Sequence, residues 1–164
     1  MNKNPNIGYT CECCGQFVKR YRRSFNCNMA LSLLALYKEK QFGWVKVEDF
    51  LLKHGYQRCG DFTYLVHFGL LEKMQGERED GSNRNGFYKI TGRGIMFCEQ
   101  KLTVNSKFYM FNGKLDGFDG EQIGIQRALG KKFSYTELMQ EHLLNSIIPS
   151  GEKTSTTERF EPNY

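Results

Sequence analysis

The sequence predicts an α+β fold, because segments with helical periodicity alternate with short strands and hairpin signals. The stretch Met29–Tyr37 is apolar on almost every side and rich in leucine and alanine, which is typical of a buried helix. The pair Asn112-Gly113 stands between aromatic runs and is the strongest short signal for a β-hairpin. A chain of 164 residues can hold one domain with extensions.

The central part of the chain predicts three helices around one short strand. The buried helix takes Ser24 or Asn26 as its N-cap, since both side chains can accept a hydrogen bond from the first turn. A short strand follows at 44–47, and the second helix closes at Gly55. The third helix is predicted over Asp61–Gly69, with Asp61 as its cap.

A hairpin with a long polar tip comes next. Leu70–Ile90 contains two strand-like arms separated by the turn-rich stretch Gly76–Gly86. Thr91 then caps a further helix. Helix, strand, helix, helix and hairpin is the element order of a winged helix-turn-helix. The third helix would be the recognition helix, and Gly76–Gly86 would be the wing.

The chain is therefore predicted to have four parts. They are a Cys-rich basic arm or knuckle at 1–24, a winged-helix domain at 25–104, a hairpin-and-helices extension at 105–148, and a disordered polar tail at 149–164. Within the extension, Asp119–Leu129 is predicted as a short helix. Ser134 and Glu137 form a capping box before a final helix over 135–147.

Several of these segments together carry a family resemblance. The most specific are GDFTYLVHFGLLEK at 60–73 and YKITGRGIMF at 88–97, preceded by a CxxCG motif near the start. Over 11–138 the sequence resembles phage- and prophage-encoded winged helix-turn-helix proteins with an N-terminal cysteine knuckle. The resemblance implies a DNA-binding fold, but it implies no particular activity.

The positive charge of the chain is concentrated at one end. The net charge is +5, yet residues 1–28 hold five basic side chains and one acidic, against 18 and 17 in the remainder. Such a cluster is an electrostatic footprint for phosphate or an acidic partner. The alternative is a solvated arm that only keeps the chain soluble.

Double-stranded DNA is the predicted partner, with contacts from the arm, the third helix and the wing. Asp61 and an acidic wing tip weaken this surface, because they oppose phosphate. The candidate contact residues are Lys19, Arg20, Arg22 and Arg23 in the arm, Arg58, Tyr64 and His67 near the third helix, and Arg78, Arg84, Lys89 and Arg93 in and beside the wing.

A second class of function stays open, because winged helices also bind proteins. In this alternative the chain is an inhibitor or accessory factor that engages a host protein or defence complex. Under either function the chain could form a homodimer. The position of the basic segment Lys19–Arg23 distinguishes DNA binding from protein binding. A position beside the third helix favours DNA, whereas packing away from it favours a protein partner.

The cysteines predict a zinc knuckle with an incomplete ligand set. Cys11 and Cys14 have the C-x2-C spacing that chelates one tetrahedral ion, and Gly15 follows them. Cys27 is the expected third ligand. The alternative is a hairpin that packs without metal. Candidates to complete the site are Cys13, His54, Cys59 or a residue of a partner.

The remaining patterns predict a non-enzymatic cytoplasmic protein. The three histidines form no HExxH motif, and Gly124–Lys132 departs from a phosphate loop in its glycine spacing. The sequence contains no run of eighteen apolar residues, so it predicts no membrane span. The start of the chain lacks the apolar core of a secretory signal. In a reducing compartment, six cysteines are expected to be thiols or metal ligands.

Overall fold

The computed structural model describes residues 3–55, 60–76, 79, 81 and 86–140. Over these residues the chain is a mixed α+β structure with small antiparallel sheets, as the sequence predicts. The tail at 149–164 and most of the predicted wing tip lie outside the described residues. None of the helices in the described ranges has the length and apolar character needed to cross a membrane.

Strands and helices are interspersed along the described residues. In chain order they are β1 (Tyr9–Thr10), β2 (Phe17–Val18), β3 (Arg20–Ser24), α1 (Cys27–Lys38), β4 (Val45–Lys46), α2 (Val47–Lys53), α3 (Gly60–Thr63) with a 3-10 turn (Tyr64–Val66), β5 (Leu71–Lys73), β6 (Phe87–Ile90), α4 (Gly92–Cys98), β7 (Val104–Phe111), β8 (Lys114–Ile123) and α5 (Ile125–Leu129). Residues 135–140 are also helical.

Helix α1 is the centre of the core. Asn26 caps it, because its side-chain oxygen accepts the backbone N–H of Met29 at 3.0 Å. The predicted buried helix and one of its two predicted caps are therefore confirmed. Helices α3, α4 and α5 pack against it. Its buried residues are Met29, Ala30, Ser32, Leu33, Leu34 and Leu36.

The predicted hairpin forms a three-stranded sheet with the short strand before α2. The strand order is β4-β6-β5, and Leu71 pairs with Ile90. Thr91 caps α4, since its hydroxyl accepts the backbone N–H of Gly94 at 3.0 Å. Gly55 follows α2 with φ +78°, the left-handed conformation predicted for its terminator.

A second three-stranded sheet has the order β3-β7-β8. The turn between β7 and β8 is the predicted Asn112-Gly113 pair, with φ of 49° and 74°. The basic segment of the sequence is strand β3, which pairs with β7 along its whole length from Arg20 to Ser24. Its side chains are therefore held in register by the hairpin.

A seam of aromatic rings joins this sheet to the helices. Phe68 lies 5.0 Å from Phe25 and 5.1 Å from Phe108, measured between ring centroids. Phe25 also lies 5.4 Å from Phe97 of α4. Offset and edge-to-face contacts of this kind add to the gain from burying the rings. The seam fixes where β3 and β7 sit relative to the segment that follows α3.

Two predicted helices differ from the structure. The prediction of Asp61 as an N-cap is wrong, because Gly60 before it is already helical. The third helix also does not continue to Gly69. It tightens into a 3-10 turn, which directs both Leu65 and Phe68 into the core, and Gly69 ends the segment at φ +73°.

The predicted helix over Asp119–Leu129 begins later, at Ile125. Asp119 and Ile123 pair with Lys107 and Val104, so this stretch belongs to β8. Gly120 at φ +77° is also incompatible with a helix. The final helix does start after Ser134, whose hydroxyl accepts the backbone N–H of residue 137 at 3.4 Å.

Candidate functional site

A cleft of about 250 Å³ opens between the cysteine-rich hairpin and the second sheet. Strand β2 forms one wall, β3 forms the floor, and the turn after β7 forms the rim. Tyr64, in the 3-10 turn that follows α3, forms the remaining side of the cleft. The lining residues are Gln16, Phe17, Val18, Lys19, Tyr21, Arg23, Tyr64, Met110, Asn112 and Gly113.

The cleft is both cationic and aromatic. The guanidinium carbon of Arg23 lies 5.8 Å from the ring centroid of Tyr21 and 5.9 Å from that of Tyr64. Among the described residues, no carboxylate oxygen lies within 4.0 Å of Lys19 or Arg23. Their charges therefore have no internal counter-ion in the part of the chain that the structure describes.

The other two arginines of β3 point to the opposite face of the sheet. Successive side chains of a strand alternate between faces. Arg20 donates from Nε to Oδ2 of Asp116 at 2.6 Å and from its terminal nitrogen to the Asp116 carbonyl at 2.6 Å. Its guanidinium also stacks 3.7 Å from the ring centroid of Tyr109. Arg20 is thereby committed to stabilising the hairpin.

Arg22 shares this face and meets Asp119 at 3.9 Å. The backbone N–H of Gly120 lowers the pKa of Asp119, and the Tyr109 hydroxyl lowers it further. The carboxylate is thus charged at neutral pH and offsets Arg22. Of the four predicted arm contacts, Lys19 and Arg23 line the cleft, whereas Arg20 and Arg22 face acidic partners.

Of the predicted contacts near the third helix, Tyr64 lines the cleft. His67 instead packs on the core, with its ring 5.3 Å from that of Phe108. Burial disfavours the charged imidazolium and lowers the pKa of His67. A neutral ring contributes no charge to a phosphate contact. Arg58 lies outside the described residues.

We expect His67 to make the protein less stable in mild acid. The unfolded chain, with a histidine pKa near 6.5, binds this proton more tightly than the folded protein does. The stability due to neutral His67 is present above that value and is lost as the pH falls toward the lower folded pKa. In urea unfolding at about pH 7.5 and about pH 5, His67→Phe should narrow the difference in unfolding free energy. An unchanged difference would contradict this assignment.

The predicted wing contacts are only partly described. Lys89 on β6 lies 3.7 Å from Glu72 and 5.1 Å from the ring centroid of Trp44, so its charge is partly offset. Arg93 is exposed at the start of α4. Arg78 and Arg84 lie outside the described residues. The cleft and the β4-β6-β5 sheet are separate surfaces.

The cysteine turn lies at the tip of the β1–β2 hairpin. The Sγ atoms of Cys11, Cys13 and Cys14 all lie within 4.8 Å of one another, and the Cys11–Cys13 pair is 3.0 Å apart. The Cys13 thiol lowers the pKa of Cys11 to about 6, and backbone N–H groups of the turn add to this effect. The same hydrogen bond raises the pKa of Cys13. Three soft sulfur donors at this separation could hold one metal ion.

Cys27 does not join this cluster, which corrects its predicted role as a ligand. It is the first residue of α1, and its Sγ donates to the carbonyl of Leu129 at 3.2 Å. Burial raises the pKa of Cys27, which disfavours the thiolate that a metal needs. Cys13 takes its place in the cluster. His54, another candidate, contacts Glu39 at 2.7 Å, and Cys59 lies outside the described residues.

Sequence reasoning missed part of the cleft. Phe17 and Asn112 were not predicted as site residues, because nothing local shows that β2 and the β7–β8 turn converge. The alternation of side chains between the two faces of β3 is the one sequence signal that points to the cleft. It separates Tyr21 and Arg23 from Arg20 and Arg22 once the segment is read as a strand.

No protein-family model matches this sequence, and it has no match among curated proteins or solved structures.

Proposed function

We propose that this protein binds DNA, with its phosphate contacts centred on Lys19 and Arg23. One observation carries the proposal: the basic strand lies beside the segment that follows the third helix. The Arg23 guanidinium approaches the Tyr64 ring, and both line the same cleft. Arg23 is exposed and Lys19 is half-buried, and neither has a carboxylate partner among the described residues. Cations that are free to contact phosphates release counter-ions from nucleic acid.

We further propose that residues 25–104 form a winged-helix core. The support is topological: α1, β4, α2, α3 and a hairpin follow one another, and the sheet order is β4-β6-β5. In this arrangement α3 would approach the groove, and the wing would extend from β5 and β6. The short α3 carries Asp61 in its first turn, so the cleft supplies the stronger phosphate contacts.

The cysteine turn fits zinc as a bound ion. Cys11, Cys13 and Cys14 supply three thiolates from one turn, and zinc takes four ligands in structural sites. The ion would hold the turn that leads into Phe17 and Lys19, and thus one wall of the cleft.

The experiment for DNA binding is fluorescence anisotropy in a salt series. The probe is a random duplex with a single-stranded overhang, so that either form of DNA can bind. The double variant Lys19→Ala with Arg23→Ala should weaken binding roughly tenfold or more at low salt. It should also reduce the slope of log K against log salt by about 2, one for each lost phosphate contact.

The matched control is Arg127→Ala. Arg127 is an exposed arginine of α5. It pairs with Glu121 near the end of β8 that lies opposite the β7–β8 turn of the cleft. This variant should retain the affinity and nearly all of the slope. No binding of the wild-type protein at low salt would overturn the proposal.

The alternative is a protein-binding inhibitor, and β8 is the element that bears on it. Strand β8 is an edge strand exposed from Lys114 to Gln122, with Leu115 and Phe118 at its surface. Yet charged side chains and positive-φ glycines interrupt it, and such features oppose the addition of another strand. The cleft therefore supports DNA more strongly than this edge supports a protein partner.

A further inference from the structure

Two of the exposed aromatic side chains lie together at the cleft. Phe17 is 60% exposed and Tyr21 is 45% exposed, and both belong to the strands that form the cleft walls. The aromatic residues of the seam, in contrast, are buried. Large apolar rings kept in water at one place mark a binding surface. Flat rings that flank cations suit nucleobases, because every base offers a face for stacking.

The charges of the cleft are placed for a phosphate beside a stacked base. Arg23 lies within 6 Å of both tyrosine rings, at 5.8 Å from Tyr21 and 5.9 Å from Tyr64. Lys19 lines the same cleft from the start of the strand. A nucleotide carries these two chemistries on adjacent atoms, with the phosphate next to the sugar and the base beyond it. The rim also presents the side-chain amide of Asn112, which can donate to and accept from a base edge.

The size of the cleft fits one nucleotide of a nucleic-acid strand. Its volume of about 250 Å³ is below the roughly 300–1,000 Å³ of sites that enclose a small molecule. A nucleotide that enters the cleft must also be unpaired, because the bases of a duplex are stacked on one another and cannot meet protein rings. Single strands present unstacked bases to aromatic side chains.

We propose that the cleft holds an unpaired nucleotide, so that the protein binds single-stranded DNA or a single-stranded overhang in preference to blunt duplex. This inference rests on the proposed DNA binding and specifies its ligand. Tyr21 supplies the stacking surface, Arg23 and Lys19 hold the flanking phosphates, and Tyr64 closes the cleft behind the base.

The test compares three labelled probes by anisotropy at one low salt concentration. They are an oligothymidylate of about 12 nucleotides, a blunt duplex of equal length, and that duplex with a short overhang. We expect the single strand and the overhang to bind at least about tenfold more tightly than the blunt duplex. Tyr21→Leu should remove most of this preference, because binding of the single strand and of the overhang should weaken more than binding of the blunt duplex.

Phe42→Leu is the matched control. Phe42 is 42% exposed and follows the C-terminal end of α1, whereas β3 precedes the N-terminal end of that helix. It removes an exposed ring far from the cleft and should not change the preference. Since Tyr21 and Phe42 are both exposed, neither substitution should unfold the protein, and circular dichroism checks this.

The outcomes separate the two proposals. Equal binding of all three probes, or a Tyr21→Leu variant that keeps the preference, would overturn the cleft assignment while DNA binding stands. No binding to any probe would overturn the proposed function itself. Thymidine monophosphate is added as a competitor. Displacement at concentrations comparable to the oligonucleotide would identify a free-nucleotide site and overturn the strand proposal.

Discussion

Phe108→Ala is expected to lower the unfolding free energy by about 3–5 kcal/mol, the usual cost of removing a buried phenylalanine ring. Phe108 is 0% exposed in β7. Its ring meets Tyr64 at 5.6 Å, His67 at 5.3 Å and Phe68 at 5.1 Å between centroids. The substitution would therefore leave a cavity where the β3-β7-β8 sheet joins the segment after α3. Urea unfolding followed by circular dichroism measures the change.

The control lies directly across the sheet. Phe118 on β8 pairs with Phe108 in the strand register, but it is 48% exposed. Phe118→Ala should cost less than about 1 kcal/mol, because its ring is already half in water. Phe108→Leu retains most of the buried volume and should cost less than about 1.5 kcal/mol. Equal losses for Phe108→Ala and Phe118→Ala would show that the seam does not hold the sheet.

The seam also links stability to the proposed binding site. Tyr64 lines the cleft on one side and packs against Phe108 on the other. Phe108→Ala should thus displace Tyr64 and weaken binding of the single strand, even under conditions where the variant is folded. The geometry of the cleft therefore depends on the buried ring of Phe108.

The features that could be predicted from the sequence are those set by local signals. Asn26 caps α1, Gly55 ends α2 and Thr91 caps α4, because each depends on hydrogen bonds or dihedral angles within a few residues. The Asn112-Gly113 turn likewise needs only two residues that accept positive φ. A local signal predicts local structure, and these predictions are confirmed.

The cleft could not be predicted because it depends on pairing between distant segments. Strand β3 meets β7 across more than eighty residues of sequence, with Arg20 opposite Phe111 and Ser24 opposite Lys107. The sequence shows four basic residues together and gives no sign of which carboxylates face them. Asp116 and Asp119 come from the far arm of the β7–β8 hairpin and offset Arg20 and Arg22.

The cysteine ligands are likewise predicted correctly only where they are close together in the sequence. The C-x2-C spacing predicts correctly that Cys11 and Cys14 lie together, because both belong to one tight turn. For the third position, distance along the chain was misleading. Cys27 is separated from the turn by β2 and β3, and the start of α1 directs its thiol toward α5. Cys13 lies within the turn itself, so its thiol reaches the other two.

Cys13→Ser and Cys27→Ser should therefore differ strongly in metal binding. The wild-type protein should bind one zinc ion per chain, and Cys13→Ser should lower the affinity by more than the roughly 10–100-fold that loss of an outer-shell partner costs. Cys27→Ser should bind zinc as the wild type does, since a serine hydroxyl can still donate to the Leu129 carbonyl that Cys27 meets. Metal analysis after dialysis and titration with cobalt, whose thiolate complexes absorb visible light, measure both effects.

The two variants show whether Cys13 or Cys27 is the third zinc ligand beside Cys11 and Cys14. Loss of zinc only in Cys13→Ser means that the turn is the ligand set, with its fourth position supplied from outside the three cysteines. Loss of zinc only in Cys27→Ser would contradict the structure at α1, because that thiol would have to leave Leu129 and cross β3. Zinc held by the turn would also stiffen the wall that carries Phe17 and Lys19. Chelation of the wild-type protein should then weaken single-strand binding, whereas adding the chelator to Cys13→Ser should change nothing further.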